Sequence, residues 1–194
     1  MRKCLFFIVA MLCYVASAAQ TKSEHMTFKG IPIDGPLKEF VAKMEKVGFT
    51  NLGTFDGTAI LQGGFAGYSG CVMAVFTLKN SNMVNAVSIE FPSQCDWSSL
   101  EANYQQLKRV LTSKYGEPVK CMEEFQGYNL PRDNEDKLLS LKMDQCSYNT
   151  IIETTAGYIL LQLCYDDVYG THCSLGYYDK INIDAAEAAA MDDL

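Results

Sequence analysis

Two neighbouring stretches decide the fold: VNAVSIEF (84–91) and, four residues on, DWSSLEANYQQLKRVLTSKYGEP (96–118). In the first, Val87, Ile89 and Phe91 alternate with Ser88 and Glu90, the period of a strand in a sheet with one wet face. In the second, Trp97, Leu100, Tyr104, Leu107 and Leu111 recur three and four apart, which gives a helix with one buried stripe. Ser98 and Glu101 have capping-box spacing, and Gly116 then Pro118 stop the helix.

Working outward, the same order occurs twice. Upstream, Asp34 as a cap and Pro36 in the first turn lead into Leu37, Phe40, Val41, Met44 and Val47 on one helical face, ended by Gly48. Strand-like runs follow at 58–62, 71–78 and 84–91. Downstream of the second helix they recur at 119–125, 138–146, 150–154, 158–165 and 173–179, with turn residues between the later ones. Lys46-Val47-Gly48 and Lys114-Tyr115-Gly116 close the two helices 68 residues apart. Strands in blocks after a helix, without βαβ alternation, imply an α+β fold: mostly antiparallel sheet, two main helices on one face, and a pseudo-duplicated helix-then-strands unit. The ending IDAAEAAAMDDL, with Asp184 as cap, adds a short C-terminal helix. The organisation expected is a signal peptide at 1–19, a polar lead at 20–26, halves at 27–92 and 93–182, and an alanine-rich tail at 183–194.

The signal peptide is read from MRKCLFFIVAMLCYVASAAQ (1–20): Arg2 and Lys3, then an apolar run, then Ala16, Ser17, Ala18 and Ala19. It is shorter than a membrane-spanning helix needs, so a soluble exported protein, periplasmic or extracellular, is expected. The whole chain has 194 residues, 48% of them hydrophobic and 20% charged, enough for a real core. Losing Arg2 and Lys3 leaves 14 basic side chains against 23 acidic, a net charge of −9. That is the wrong sign for phosphate backbones, so nucleic acid is not an expected partner.

Export places the six remaining cysteines, Cys71, Cys95, Cys121, Cys146, Cys164 and Cys173, in an oxidising compartment where up to three disulfides are expected. Cys164 and Cys173 flank a turn, and a hairpin there would set them opposite each other. No CxxC occurs, which argues against zinc and redox motifs.

Four stretches carry a resemblance: HMTFKGIPIDG (25–35), FAGYSGC (65–71), LTSKYGEP (111–118) and AAAMDDL (188–194). They resemble a family of uncharacterised exported proteins of gut-dwelling Gram-negative bacteria. The likeness covers nearly all of the chain after the signal and implies export, but it brings no activity or site residue with it. The element order is also similar to the tandem α/β repeats of the β-lactamase inhibitor protein and of small outer-membrane-assembly lipoproteins. It departs from them in opening each half with one helix rather than two.

Catalytic equipment is sparse. The chain has two histidines. His25 lies in the polar lead and reads as a surface residue, while His172 adjoins Cys173, and neighbours on a strand face opposite ways, a poor nucleophile–base geometry. GGFAGYSGC (63–71) lacks both the GK[ST] and the GxSxG spacing, so it reads as a hairpin whose glycines supply positive φ and whose tip shows Phe65 and Tyr68. Asp133, Asn134, Glu135 and Asp136, and the pair Asp166 and Asp167, lack the order and glycine of a calcium loop and read as solvated loops. No cofactor, metal or catalytic residue is assigned. Tyr158, Tyr165, Tyr169, Tyr177 and Tyr178 concentrate near the C-terminus, and tyrosine is enriched at binding surfaces. Tyr165, Tyr169 and Tyr178, with Phe65 and Tyr68, form the candidate contact patch. The function expected is therefore a non-enzymatic binding module of the cell envelope for an unknown protein or small ligand. The alternatives are a secreted hydrolase using a carboxylate pair, whose separation of about 5 to 10 Å is invisible in sequence, and a purely structural envelope component.

Overall fold

A computed structural model describes residues 24–78, 81–127 and 130–192. The signal peptide at 1–19 and most of the polar lead lie outside the described residues.

A small ribbon of β1 (Thr27–Phe28) and β2 (Ile31–Pro32) precedes α1 (Leu37–Lys46). Four strands follow: β3 (Thr50–Phe55), β4 (Thr58–Phe65), β5 (Tyr68–Thr77) and β6 (Val84–Glu90). The second half begins with α2 (Trp97–Tyr115) and continues through β7 (Lys120–Phe125), α3 (Asn134–Lys142), β8 (Cys146–Thr154), β9 (Gly157–Asp166) and β10 (Gly170–Asp179) to α4 (Lys180–Asp192). The fold is α+β. One eight-stranded antiparallel sheet runs β3-β4-β5-β6-β10-β9-β8-β7. Read inward from either edge, each half contributes its strands in chain order, and the last strands of both halves, β6 and β10, pair at the centre.

Helices cover one face. Phe40 and Met44 of α1, Trp97, Leu100, Tyr104 and Leu107 of α2, and Leu141 of α3 join Leu61, Met73, Ile89, Leu175, Leu161 and Ile152 of the strands in a single buried cluster. The opposite parity of β4, β5 and β9 is half-exposed or exposed, whereas on the central β10 His172, Ser174 and Gly176 are buried; Ser88 and Glu90 of β6 are half-buried, so the alternation over 84–91 has its expected meaning. Among the described residues no helix is long and apolar enough to cross a membrane.

Several local expectations are corrected. Leu138–Lys142 is not strand but the body of α3. Asp133 accepts hydrogen bonds from the backbone N–H groups of Glu135 and Asp136, and Arg132 pairs with Asp136 one turn on, so the acidic cluster is a helix start rather than a plain loop. At α2 the cap is Asp96, which accepts from Ser99 N at 2.8 Å. Ser98 instead accepts from Asn134 and Glu101 from Trp97. At α1 the position before the helix is Pro36, with no side-chain cap. Asp34 accepts from Asn182 and faces His25.

The tail helix begins earlier than Asp184. Its first turn is fastened by Asp179, fully buried, which accepts from Met26 N at 2.7 Å, from Asn182 N at 2.9 Å and meets His25 Nδ1 at 3.1 Å. His25 is thus not a free surface residue: it ties the N-terminal lead to the end of β10.

The cysteine expectation fails on register. β9 and β10 pair Cys164 with His172 and Leu163 with Cys173. The two sulfurs therefore leave the sheet on opposite faces: Cys173 Sγ lies 3.9 Å from the Leu100 carbonyl under α2, and Cys164 lines the open face. All six cysteines of the described chain are free thiols. Alkylating the unreduced, denatured protein should label all six, and a peptide map showing Cys164 joined to Cys173 would refute this register.

The glycine-rich stretch does make the β4–β5 hairpin, with Ala66 and Gly67 at positive φ. Gly63 has another role, because a Cβ there would sit 2.7 Å from the Phe49 ring. Phe65 and Tyr68 do not project from the tip. Phe65 stacks on Phe28 at 5.0 Å, and Tyr68 meets Phe91 edge-on at 5.1 Å while its hydroxyl donates to Asn103.

Candidate functional site: the open face of the sheet

The face that no helix covers is built by the even-numbered residues of five adjacent strands. Thr58 and Ile60 come from β4; Val72, Ala74 and Phe76 from β5; Ser88 and Glu90 from β6. His172, Ser174, Gly176 and Tyr178 come from β10, and Leu160, Gln162 and Cys164 from β9. Together they line a groove of about 540 Å³, a size that suits a ligand or a protruding side-chain group. A larger hollow of about 720 Å³ beside α3 is lined by Leu130, Pro131, Leu139, Met143 and neighbours, and its one pair of opposite charges, Arg132 and Asp136, is satisfied internally.

At the centre of the groove stands His172, its side chain only 2% exposed. Its Nδ1 lies 2.9 Å from the Gly170 carbonyl, which can only accept, so Nδ1 carries a proton. Nε2 lies 3.0 Å from Glu90 Oε2, and Asp166 Oδ2 is 3.9 Å away. Ser88 donates to Glu90 Oε1 at 2.6 Å and Ser174 lies 3.3 Å from Ser88. Burial alone would push the histidine pKa down; the hydrogen bonds to Glu90 and Gly170 and the Glu90 and Asp166 charges outweigh it, and the pKa is raised. Burial likewise pushes Glu90 up, but donation from His172, Ser88 and Ser174 brings it below its usual range. With Nδ1–H on a carbonyl and Nε2 on a carboxylate, the geometry favours the imidazolium over the neutral ring.

That arrangement limits the chemistry. Both imidazole nitrogens are occupied, so neither is free to take a proton. The serine nearest the pair bonds the carboxylate, not the imidazole, so no nucleophile is activated by a base. Burial pushes Cys164 and Cys173 up to about 12, which keeps both thiols protonated at neutral pH.

Around this polar centre the walls are aromatic and aliphatic. Tyr178 and Tyr158, directly paired across β10 and β9, stack at 4.4 Å and 9°. Tyr178 lies so close over Gly176 that a Cβ there would be 2.5 Å from its Cε2, so only glycine lets the ring settle on the strand. Tyr169 meets His172 edge-on at 5.8 Å, held by a turn in which Asp166 Oδ1 accepts from Val168 N and Tyr169 N. Tyr165, 40% exposed, stands at the rim with its hydroxyl on Asp167.

The five aromatics proposed from sequence therefore divide. Tyr165, Tyr169 and Tyr178 share the open groove, whereas Phe65 and Tyr68 pack into the aromatic cluster of the first half. Ser88 and Glu90 were legible as wet-face positions from the alternation over 84–91. The part missed was His172, whose partner is 82 residues away and meets it only through the β6–β10 pairing. No family model matches the chain, and no curated protein or solved structure matches it either.

Proposed function

We propose that the protein is an exported, non-enzymatic binding module of the cell envelope, and that the open sheet face is the surface on which it engages a protein partner. One observation carries this reading. Ile60, Val72, Ala74, Phe76, Leu160, Tyr158 and Tyr178 give the uncovered face a half-apolar, aromatic surface, where an unemployed antiparallel face would be polar. The hydrogen-bonded histidine and carboxylate inside it favour holding a shape over turning over a substrate.

A photo-crosslinking residue placed at Val72 or Phe76 tests it in cells that make the protein. Both positions should give one adduct of the same mass, and Val110 on the exposed side of α2 should give none. Adducts from Val110 alone, or from no position, would turn the reading toward a purely structural component.

A further inference from the structure

Resting on that reading, we infer that the segment seated on the open face is cationic: a stretch of a partner protein that places an arginine or lysine at Glu90 and Asp166, among apolar side chains that meet Ile60, Val72 and Leu160.

The charge distribution argues this. Glu90 and Asp166 both line the groove, and among the described residues lining it there is no lysine or arginine. The one side chain in it able to carry a positive charge, His172, is fully engaged by Glu90 and the Gly170 carbonyl. Two carboxylates approach that single imidazole, at 3.0 and 3.9 Å, so the centre keeps a net negative charge even when the ring is protonated. Asp167, which accepts from the Tyr165 hydroxyl, adds a further carboxylate at the Asp166 end of the groove. Lys142 of α3, in the neighbouring hollow, has its ammonium 5.7 Å from the Tyr165 ring, so that tyrosine already serves as a plate for a cation. Tyr169 and Tyr178 offer the same kind of surface inside the groove.

The same charges argue against other occupants. A second copy of this chain would bring acid against acid on a molecule whose net charge is already −7. Anionic headgroups and nucleic-acid phosphates are repelled in the same way.

Purified protein carrying isotope-labelled Leu, Val and Ile methyl groups provides the test, titrated separately with three twelve-residue peptides that alternate leucine with arginine, glutamine or glutamate. The arginine peptide should move the methyls of Ile60, Val72 and Leu160 on the open face and leave those of Leu61 and Leu161 on the covered face unmoved. Its affinity should fall about tenfold in Glu90→Gln and in Asp166→Asn, and fall with added salt. Asp166→Asn keeps the side-chain oxygen that accepts from Val168 and Tyr169, so the turn stays formed and the charge alone is removed; circular dichroism confirms folding of both variants. Equal shifts with the glutamine or glutamate peptide would overturn the cationic class and leave the binding face standing. Shifts that depend on protein concentration without any peptide would replace the partner with a second copy. Open-face methyls unmoved by all three would overturn both the inference and the reading under it.

Discussion

Replacing His172 with alanine should lower the unfolding free energy by about 3 kcal/mol near pH 5.5, the order expected when one partner of a buried ion pair is removed and the other is left unpaired. Glu90, 18% exposed at its side chain, would keep only the serine hydroxyls, Ser88 at 2.6 Å and Ser174 beside it, as donors. The sign follows from linkage. His172 has a folded pKa above its ordinary 6.5, so its contribution is complete below that pH and is lost as the pH rises through the folded value. Glu90 has a folded pKa below its ordinary 4.5, so its contribution is complete above that pH and is lost as the pH falls through the folded value. The difference between wild type and variant should therefore be greatest between about pH 4.5 and 6.5 and shrink on either side. Urea titrations followed at a series of pH values measure it. A difference that stays flat from pH 5 to 9 would mean that the imidazolium adds nothing to the fold.

Trp97→Ala should cost more, about 3 to 5 kcal/mol. The indole is completely buried, 5.3 Å from both Phe125 and Tyr148, and its Nε1–H donates to Glu101 at 2.9 Å. Glu101 also accepts from the Tyr148 hydroxyl at 3.0 Å, so the loss spreads to a second aromatic. No neighbour can collapse into the space easily, because the site is closed by α2 on one side and β7–β8 on the other. For a chain of this size the midpoint of thermal unfolding should fall by roughly 8 to 15 °C. Since this is the only tryptophan, far-ultraviolet circular dichroism rather than fluorescence is the measurement. A drop of two or three degrees would show that the second half does not depend on this packing.

The two sites differ in how far local spacing specifies them. Trp97 sat at the head of a stripe spaced three and four apart, and such spacing reports one buried helical face whatever the rest of the chain does. The strand β3 left no such trace: TNLGTF lies at the sheet edge, nearly all its residues are exposed, and its register shifts between Asn51 and Gly53. An edge strand with two wet faces has no apolar alternation to read. α3 reads as strand because its apolar residues, Leu138, Leu139 and Leu141, crowd together instead of marking one stripe, and only Leu141 is buried. Its N-terminal acids read as a solvated loop, because no single apolar stripe follows them to mark a helix start.

The fate of the sulfurs is likewise not local. Eight residues lie between Cys164 and Cys173, a spacing that suits a hairpin, yet whether they meet depends on the turn. Here Asp166 pairs with Gly170, which matches Cys164 to His172 and sends Cys173 to the other face. Shifting the pairing by one residue would reverse the outcome. The fold is consequently held by one apolar layer between helices and sheet, and by polar fasteners such as Asp179, rather than by cross-links.

Local periodicity was enough to determine the α+β class, the two main helices, most strand positions and the fact that Ser88 and Glu90 face away from the core, because each of those is fixed by side-chain spacing along a few turns or pleats. Tertiary closure alone decided that β6 and β10 meet at the centre of the sheet, that His172 reaches Glu90, and that three tyrosines gather around them. Those contacts depend on strand order and register over more than eighty residues, and no local period encodes either.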